Sequence, residues 1–419
     1  MKKQIFTLAL MCFSSSLLAG GYRVALQGNN ATGMGHTGVA MSDNAEVVFF
    51  NPAAMSLLDS ASDFSVGTIL INSTIKYQNR DTSSTAETDN SSGTPAYLYY
   101  ARKFDDRLAF GLGMYTPYGN SVKWPKDWAG SHLVNDISLF TVFVQPSVSY
   151  KVNDMLSIGG GPIYAYGSVD FNRNLNSSLV DASNQRANVT LKATGVTDWG
   201  YTLSTMLNPI DNLSVGLSYR SEMTLKARGE DANFEHIPSS LSSTYKDTTF
   251  DADLALPAEL TVGLAYKVLP TTTVALDINR VFWSAYKSLD ITFKGVDEPA
   301  LGPRNYQDSN VYRIGVQHQF NPKFTFRLGA YYDDSPVEDG YFSPETPRNN
   351  SLGLTTGASY KFTKKLAVDV SFLYLMFKEF NGSYDYVGHD NDPNTKDESF
   401  GGDYISTVTT FGFGLNYQY

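Results

Sequence analysis

The sequence predicts an all-β protein, a transmembrane antiparallel β-barrel of about 14 strands with an N-terminal helical hatch inside its lumen. From about residue 64 to the end, very short connectors alternate with long polar ones. The segments between connectors show period-two alternation of apolar and polar residues, which is typical of half-buried strands. Outer-membrane barrels are built in this way, with tight periplasmic turns at one end and long external loops at the other.

The first 19 residues are predicted to be a cleavable signal peptide. Lys2 and Lys3 form a basic start, residues 5–13 are apolar, and Ala19 follows a stretch of small and apolar residues. No later apolar run is long enough for a membrane-spanning helix. An exported membrane protein without such a helix must close its backbone hydrogen bonds in a barrel, so we expect the outer membrane of a Gram-negative bacterium.

Composition excludes several classes of function. The net charge of −10 argues against a nucleic-acid partner. The single cysteine, Cys12, lies in the predicted signal peptide, so the mature chain has no thiol for a disulfide, a zinc site or a nucleophile. The five histidines show no catalytic or metal-ligand spacing. We therefore expect no enzyme activity, no metal and no cofactor; a barrel hydrolase and a surface adhesin are the alternatives.

The connectors divide residues 64–419 into the predicted barrel strands. Long polar stretches are expected at 79–93, 172–193, 229–256 and 383–402, and tight turns at 104–107, 151–154, 208–211, 268–271, 320–323 and 361–364. The predicted strands are 64–78, 94–104, 107–117, 138–151, 154–171, 194–208, 211–228, 258–268, 271–294, 305–320, 323–333, 349–361, 365–382 and 403–419. A soluble β-sandwich or propeller is the alternative, but it would not place all long connectors at one end.

Alternation within these strands predicts which charged side chains face the lumen. The inward set is Arg220, Glu222, Asp277, Arg313, Arg327 and Asp369. A guanidinium fork matches a carboxylate, so Arg220, Arg313 and Arg327 are candidate binding residues for an acidic ligand. The alternative is a salt-bridge network between the N-terminal hatch and the wall, because charges in a partly dry lumen need partners.

Residues 20–63 do not alternate and are predicted to form the hatch, with the barrel at 64–419. Helical turns are expected on either side of a break at Asn51-Pro52, because proline starts helices but does not fit inside them. An apolar, glycine-rich segment of irregular backbone cannot face lipid, so the barrel interior is the place for it.

The last strand ends on an aromatic residue. Its apolar face is Phe411, Phe413, Leu415, Tyr417 and Tyr419. This pattern resembles the C-terminal signal that the outer-membrane barrel-assembly machinery reads, so that machinery and outer-membrane lipids are expected partners. An ordinary amphipathic strand is the alternative.

Several motifs resemble the FadL family of outer-membrane long-chain fatty acid transporters, which also includes toluene and xylene importers. The N-terminal ones are Gly20-Gly21-Tyr22, Gly33-Met34-Gly35, Asp43 and Asn51-Pro52-Ala53. Downstream motifs follow in the family order, at residues 115–119, 124–128, 146–154, 219–222 and 333–336. The resemblance therefore covers essentially the whole mature chain.

The resemblance implies a monomeric 14-stranded barrel that takes up hydrophobic molecules passively. Long-chain fatty acids and aromatic hydrocarbons are the competing substrates. Asn51, Pro52 and Ala53 would be the gating motif of the hatch, and ligand would leave sideways beside a kinked third strand. Gly111, Gly113 and Pro117 are the candidate kink residues, although the glycines could instead let the hatch pack against the wall.

Apolar residues on the hatch and wall are candidates to line a channel for an alkyl chain. They are Phe49, Phe50, Met55, Leu57, Leu58, Leu373 and Leu375. Simple core packing of the hatch is the alternative for each of them. In the external loops, Trp124, Trp128, Tyr341 and Phe342 could capture ligand, or could pack the loops.

Overall fold

The computed structural model describes residues 21–347 and 349–419; the predicted signal peptide lies outside the described residues. The described strand segments join in one antiparallel sheet that closes on itself. The first strand pairs along its length with the last, from Asp63 with Gln418 to Gln78 with Asp403. These segments form a closed barrel wall of 14 strands, as the sequence predicts.

Several wall strands are interrupted and therefore consist of two segments, and β2 is a short strand in a loop. In chain order the segments are β1 Ser62–Gln78, β2 Thr85–Glu87, β3 Ala96–Lys103, β4 Leu108–Tyr115, β5 Gly119–Lys123, β6 Asp136–Lys151, β7 Leu156–Asn174, β8 Asn188–Ile210, β9 Leu213–Arg220, β10 Met223–Glu235, β11 Thr248–Leu256, β12 Glu259–Leu269, β13 Thr272–Val281, β14 Ile291–Phe293, β15 Ser309–Asn321, β16 Phe324–Asp333, β17 Ser351–Lys361, β18 Leu366–Phe377, β19 Phe380–Val387 and β20 Glu398–Gln418. The interrupted wall strands are β4/β5, β9/β10, β11/β12, β13/β14 and β18/β19.

The helices are short. They are α1 Asn29–Gly33, α2 Val47–Phe50 and the 3₁₀ turns Pro52–Leu57, Ser239–Leu241 and Trp283–Ala285. Within the described ranges, no helix has the length and hydropathy needed to cross a membrane. The break between α2 and the following 3₁₀ turn falls at Asn51, as the sequence predicts.

The wall alternates in the expected sense. On β12, Val262, Leu264 and Tyr266 are each more than 40% exposed on the outer face. Thr261 and Ala265 between them are buried. The outer surface therefore presents an apolar band, as a barrel in lipid requires.

The predicted tight turns are confirmed, whereas the loops in the structure are shorter than the predicted long stretches. At the first turn, Asp105 accepts hydrogen bonds from the backbone N–H groups of Arg107 and Leu108. By contrast, residues 188–193, 229–235 and 248–256 belong to strands. These outer strand ends extend beyond the apolar band, so their outer face is polar and their inner face carries buried apolar residues such as Leu191 and Phe250. The sequence pattern predicts loops there because these ends lack the apolar outer face of the lipid-exposed strands.

The prediction that Glu222 faces the lumen is wrong. It is exposed, whereas Arg220 and Ser221 are both buried. The interruption between β9 and β10 shifts the period-two pattern by one residue, which turns Glu222 away from the lumen.

Residues 21–61, the N-terminal segment, precede β1 and are mostly buried. Their hydrogen bonds reach strands on opposite sides of the wall. The partners include Tyr97 on β3, Ser204 on β8, Asp277 on β13 and Thr355 on β17. The backbone polar groups of this irregular segment are therefore satisfied partly by short turns within the segment and partly by wall side chains.

Candidate functional site

An apolar cavity of about 180 Å³, the outer chamber, lies between the outer halves of the wall strands, with Tyr22 of the N-terminal segment in its lining. Its wall side chains include Leu139, Val169, Phe171, Leu191, Ala193, Leu225, Phe250, Ala252 and Leu254. Residues from the loop segments 300–304 and 343–346, and from 384–388 at the end of β19, complete it. An apolar enclosure with few polar groups is typical of a small-molecule site.

Two arginines supply the positive charge of the outer chamber. Arg304 is paired with Glu345 at 2.5 Å and donates to the hydroxyl of Tyr384 at 3.1 Å. Among the described residues, the Arg173 guanidinium donates to the backbone carbonyl of His132, at 3.5 Å. In the described part of the chain, no carboxylate lies within ion-pair distance of Arg173. Arg173 is therefore a chamber cation whose charge is available to a ligand.

His132 does not add to that positive charge. Burial lowers the pKa of the His132 ring below its ordinary value, and the nearby guanidinium groups of Arg186 and Arg173 lower it further. The ring is therefore neutral at pH 7, and Arg173 and Arg304 carry the charge at this rim.

Two of the predicted arginines and two predicted apolar residues meet in a second, smaller cavity of about 40 Å³. Phe49, Phe50, Arg220 and Arg313 line it. The Arg220 guanidinium lies 4.4 Å from the centroid of the Phe49 ring and donates to the hydroxyl of Tyr115. Glu259 and Arg23 also line this cavity and form an ion pair at 2.9 Å. The arginines here already have partners in the protein.

Arg327 lies apart from the other two predicted arginines. It lines a polar cavity of about 290 Å³ together with Lys361 and Lys365 of a tight turn. Its guanidinium donates to the hydroxyl of Ser359, which in turn donates to Asp369. The structure therefore does not bring Arg327 to the outer chamber.

Asn51, Pro52 and Ala53 are buried against the wall. The Asn51 amide donates to the carbonyl of Val39 at 2.7 Å and to that of Thr205 at 3.0 Å. Its oxygen accepts from the Ala53 N–H, which caps the 3₁₀ turn that begins at Pro52. The motif thus joins two parts of the N-terminal segment to β8.

The predicted kink contains a real interruption. β4 ends at Tyr115, and β5 begins four residues later, paired with β6 and no longer with β3. At the interruption the N-terminal segment takes over, since Val24 donates to the carbonyl of Pro117 at 2.7 Å and Gly119 donates to that of Tyr22 at 2.9 Å. The β3–β4 ladder therefore ends at the pair Tyr97–Tyr115, and beyond it the chain pairs with the N-terminal segment.

Gly111 and Gly113 serve close packing. A Cβ on Gly111 would lie 2.4 Å from the sulfur of Met55, and one on Gly113 would lie 3.2 Å from a methyl group of Val48. Both glycines lie within the regular β4 ladder, below the interruption. Their contacts match the packing alternative that the sequence left open, whereas Pro117 lies at the interruption itself.

The other apolar candidates are packed in cores. Met55 and Leu58 belong to the large core of the N-terminal segment, and Leu57 packs against it. Leu373 and Leu375 are fully buried in a separate cluster that includes Val24 and Leu26. None of these residues is among those that line the outer chamber.

The loop aromatics also pack against each other. The rings of Trp124 and Trp128 are stacked at 4.2 Å, and the core that they share includes Tyr77, Phe342 and Tyr404. The sequence therefore found the aromatic residues but missed the chamber arginines, Arg173 and Arg304. Arg173 falls in a stretch that was predicted to be loop, and Arg304 precedes the strand predicted at 305–320, so alternation gave no orientation for either.

Comparison with known proteins is consistent with this architecture. The family model described as outer membrane protein transport protein (OMPP1/FadL/TodX) matches residues 10–419. Outer membrane protein P1 of Haemophilus influenzae is 24% identical over 467 aligned residues, covering 100% of both chains. The long-chain fatty acid transport protein of Escherichia coli is 22% identical, covering 89% of this chain and 91% of that protein.

Solved structures share the fold. A Pseudomonas aeruginosa FadL homologue superposes with a TM-score of 0.83 at 19% identity, covering 95% of this chain and 100% of the other. The Pseudomonas putida toluene transporter TodX gives 0.68 at 19% identity, covering 94% and 98%. The protein is an outer-membrane β-barrel, and it belongs to the OMPP1/FadL/TodX family of outer-membrane transporters of hydrophobic compounds.

Proposed function

We propose that this protein takes up long-chain fatty acids passively, with the outer chamber as its ligand site. The observation that carries the proposal is Arg173, a guanidinium at an apolar cavity with no carboxylate partner in the described residues. A fatty acid carboxylate would supply that partner. Each buried CH₂ group contributes about 0.8 kcal/mol, so the alkyl chain would provide most of the affinity.

The predicted arginines then divide between two roles. Arg220, Arg313 and Arg327 would hold the N-terminal segment to the wall, since their guanidinium groups are engaged by protein side chains. This is the structural alternative that the sequence left open. The carboxylate role would pass to Arg173, assisted by Arg304.

In this proposal the N-terminal segment is the hatch. Its contacts with strands on opposite sides of the wall would occlude the lumen, with Asn51, Pro52 and Ala53 as the hinge that fixes it to β8. Ligand would pass along Phe49 and Phe50 to the interruption between β4 and β5, and leave sideways there. The protein would act as a monomer, without a cofactor or an enzymatic step.

A second candidate substrate is an aromatic hydrocarbon such as toluene. The outer chamber, at about 180 Å³, is smaller than the roughly 300–1,000 Å³ typical of pockets for drug-sized ligands. This size favours a small aromatic molecule, whereas the free guanidinium favours an acid.

Uptake of labelled oleate and labelled toluene distinguishes the two. Cells that express the protein are compared with cells that lack it, with methyl oleate as an uncharged control of the same chain length. We expect protein-dependent uptake of oleate to exceed that of methyl oleate. If toluene uptake depends on the protein and oleate uptake does not, the fatty-acid proposal is contradicted and the second candidate is supported.

A further inference from the structure

Besides the interruption between β4 and β5, the pairing of neighbouring wall strands also breaks between β8 and β10. These strands pair from Asn188 with Glu235 to Lys192 with Asp231, and β8 pairs with β9 from Thr202 with Arg220 onward. Between those ladders, the described structure pairs no residue of 193–201 with a residue of 221–230 in a ladder, and a backbone hydrogen bond runs from the Ser221 N–H to the Tyr201 carbonyl, at 2.9 Å. We call this stretch the side gap.

Bulges on both strands explain why the side gap forms. β8 shifts its register against β7 beside Gly195, which has a φ of 76°. β10 shifts its register against β11 beside Gly229, which has a φ of 66°. Positive φ is easily reached only by glycine, and a bulge bends its strand locally. Because both edges of the gap bend in the same stretch, their ladder is broken there.

Side chains close the side gap in place of a backbone ladder. The carboxylate of Asp198 accepts from the Thr224 N–H at 2.6 Å, and that of Glu230 accepts from the Thr194 N–H at 3.1 Å. On the inner side, Leu225 reaches across to Gly167 of β7, where a Cβ would lie 2.6 Å from its methyl group. A barrier of side chains can open by rotamer changes, which a backbone ladder cannot.

The side gap joins the outer chamber to the level of the lipid headgroups. Val196, Leu225 and Ala227 at the gap all line the chamber. On the outer face, the side chains of Trp199 and Tyr201 are 65% and 47% exposed. Exposed tryptophan and tyrosine on a membrane barrel mark the interface between hydrocarbon and water. At that depth water can satisfy unpaired backbone groups, so the gap is tolerated.

We propose that the side gap is a gate through which single-chain apolar molecules and amphiphiles pass between the outer leaflet of the membrane and the outer chamber. Leu225 is the movable barrier, and Asp198 and Glu230 are the latches that hold the two strand edges. The gate is separate from the interruption between β4 and β5. Its role as a ligand route rests on the proposed function of the chamber, whereas its opening to the membrane does not.

Labelling from the membrane tests the opening directly. The only cysteine in the sequence, Cys12, is replaced by serine, and Val196→Cys is introduced at the inner side of the gap. The purified barrel is reconstituted in vesicles that contain a phospholipid with a maleimide on its headgroup. This reagent stays in the bilayer, so it cannot reach the chamber through the external loops.

The matched control is Ala165→Cys, because Ala165 is also buried on the inner face but lies in the intact ladder of β7. We expect Val196→Cys to react at least tenfold faster than Ala165→Cys, and Leu225→Ala to accelerate it further. Equal rates for the two cysteines, with or without Leu225→Ala, would overturn the proposal.

Closing the gap tests it as a route. Thr197→Cys and Lys226→Cys are joined across the gap by a reductant-cleavable bifunctional thiol reagent. The control joins Lys226→Cys to Asp253→Cys, which are paired in the intact ladder. We expect only the first link to slow uptake of oleate or toluene, by at least fivefold, with recovery on reduction.

The outcomes separate the two proposals. If Val196→Cys is labelled fast but the cross-link across the gap does not slow uptake, the side gap is not a ligand route. If neither oleate nor toluene uptake depends on the protein, the proposed function is wrong, and the labelling rates alone decide whether the wall opens to the membrane.

Discussion

Replacing Arg173 with glutamine removes the charge that we assign to ligand recognition and keeps a hydrogen-bond donor. In the described part of the chain, the guanidinium has one weak hydrogen bond, to a carbonyl at 3.5 Å, so its loss leaves no described carboxylate unpaired. A hydrogen bond to a charged group contributes about 1.5–3 kcal/mol. Because Arg173 is only partly buried, we expect the lower end, about 1.5 kcal/mol, which corresponds to a roughly tenfold weaker Kd for oleate.

The assay is equilibrium binding of oleate and methyl oleate to the purified barrel in detergent. The ester has the same chain but no charge, so its affinity should be unchanged in Arg173→Gln. Arg80→Gln is the matched control, since Arg80 is an exposed arginine of an external loop that pairs with Asp403. Equal weakening of acid and ester would show that Arg173 supports the chamber structurally. An unchanged affinity for oleate would refute the carboxylate role.

Other substitutions test the N-terminal segment and its packing. Asn51→Ala removes the amide that joins this segment to β8, which should cost about 1–3 kcal/mol of stability. We expect altered oleate uptake while the heat-modifiable band of the folded barrel is retained. Loss of that band would show that the motif is purely structural. Gly111→Val places a side chain against Met55, so we expect the N-terminal segment to be displaced and oleate uptake to change. Adding Met55→Ala should make room for the valine and restore uptake. If uptake is not restored in the double variant, the packing explanation is wrong. Leu373→Ala leaves a cavity in a fully buried cluster, so we expect a loss of about 2–5 kcal/mol, seen as a lower temperature for loss of the folded band, with ligand affinity unchanged.

The sequence was sufficient for the wall within the apolar band because lipid imposes a simple rule there. Each residue on β12 faces either lipid or lumen, so hydropathy alternates with period two. Above the band the outer face meets water and the inner face lines the outer chamber, so the apolar residues point inward and the lipid rule no longer applies. This is why β11 was missed inside a predicted loop, and why Glu222 was placed on the wrong face after an interruption that parity cannot detect.

The site was harder to predict because it depends on which side chains already have partners. Alternation placed Arg220, Arg313 and Arg327 correctly on the buried side of the wall. It could not show that Tyr115, Asn279 and Ser359 engage them. Among the described residues, no side chain engages the Arg173 guanidinium in this way, and this difference arises only when distant strands and loops meet in the closed barrel.

The interruption between β4 and β5 and the side gap are closed by different means, and this difference has a mechanical consequence. At the interruption between β4 and β5, the N-terminal segment takes the place of a neighbouring strand, because Tyr22 and Val24 form backbone hydrogen bonds there. At the side gap, the backbone hydrogen bond from Ser221 to Tyr201 lies at one end, and side chains such as Leu225 cover the rest. Any movement of the N-terminal segment must therefore break backbone hydrogen bonds at the β4/β5 interruption, whereas the side gap can open while that segment stays in place. Tyr22 also lines the outer chamber, so a ligand that displaces it acts on the first interruption directly. On this geometry, we expect occupation of the chamber to be coupled to the interruption between β4 and β5, and entry through the side gap to be independent of it.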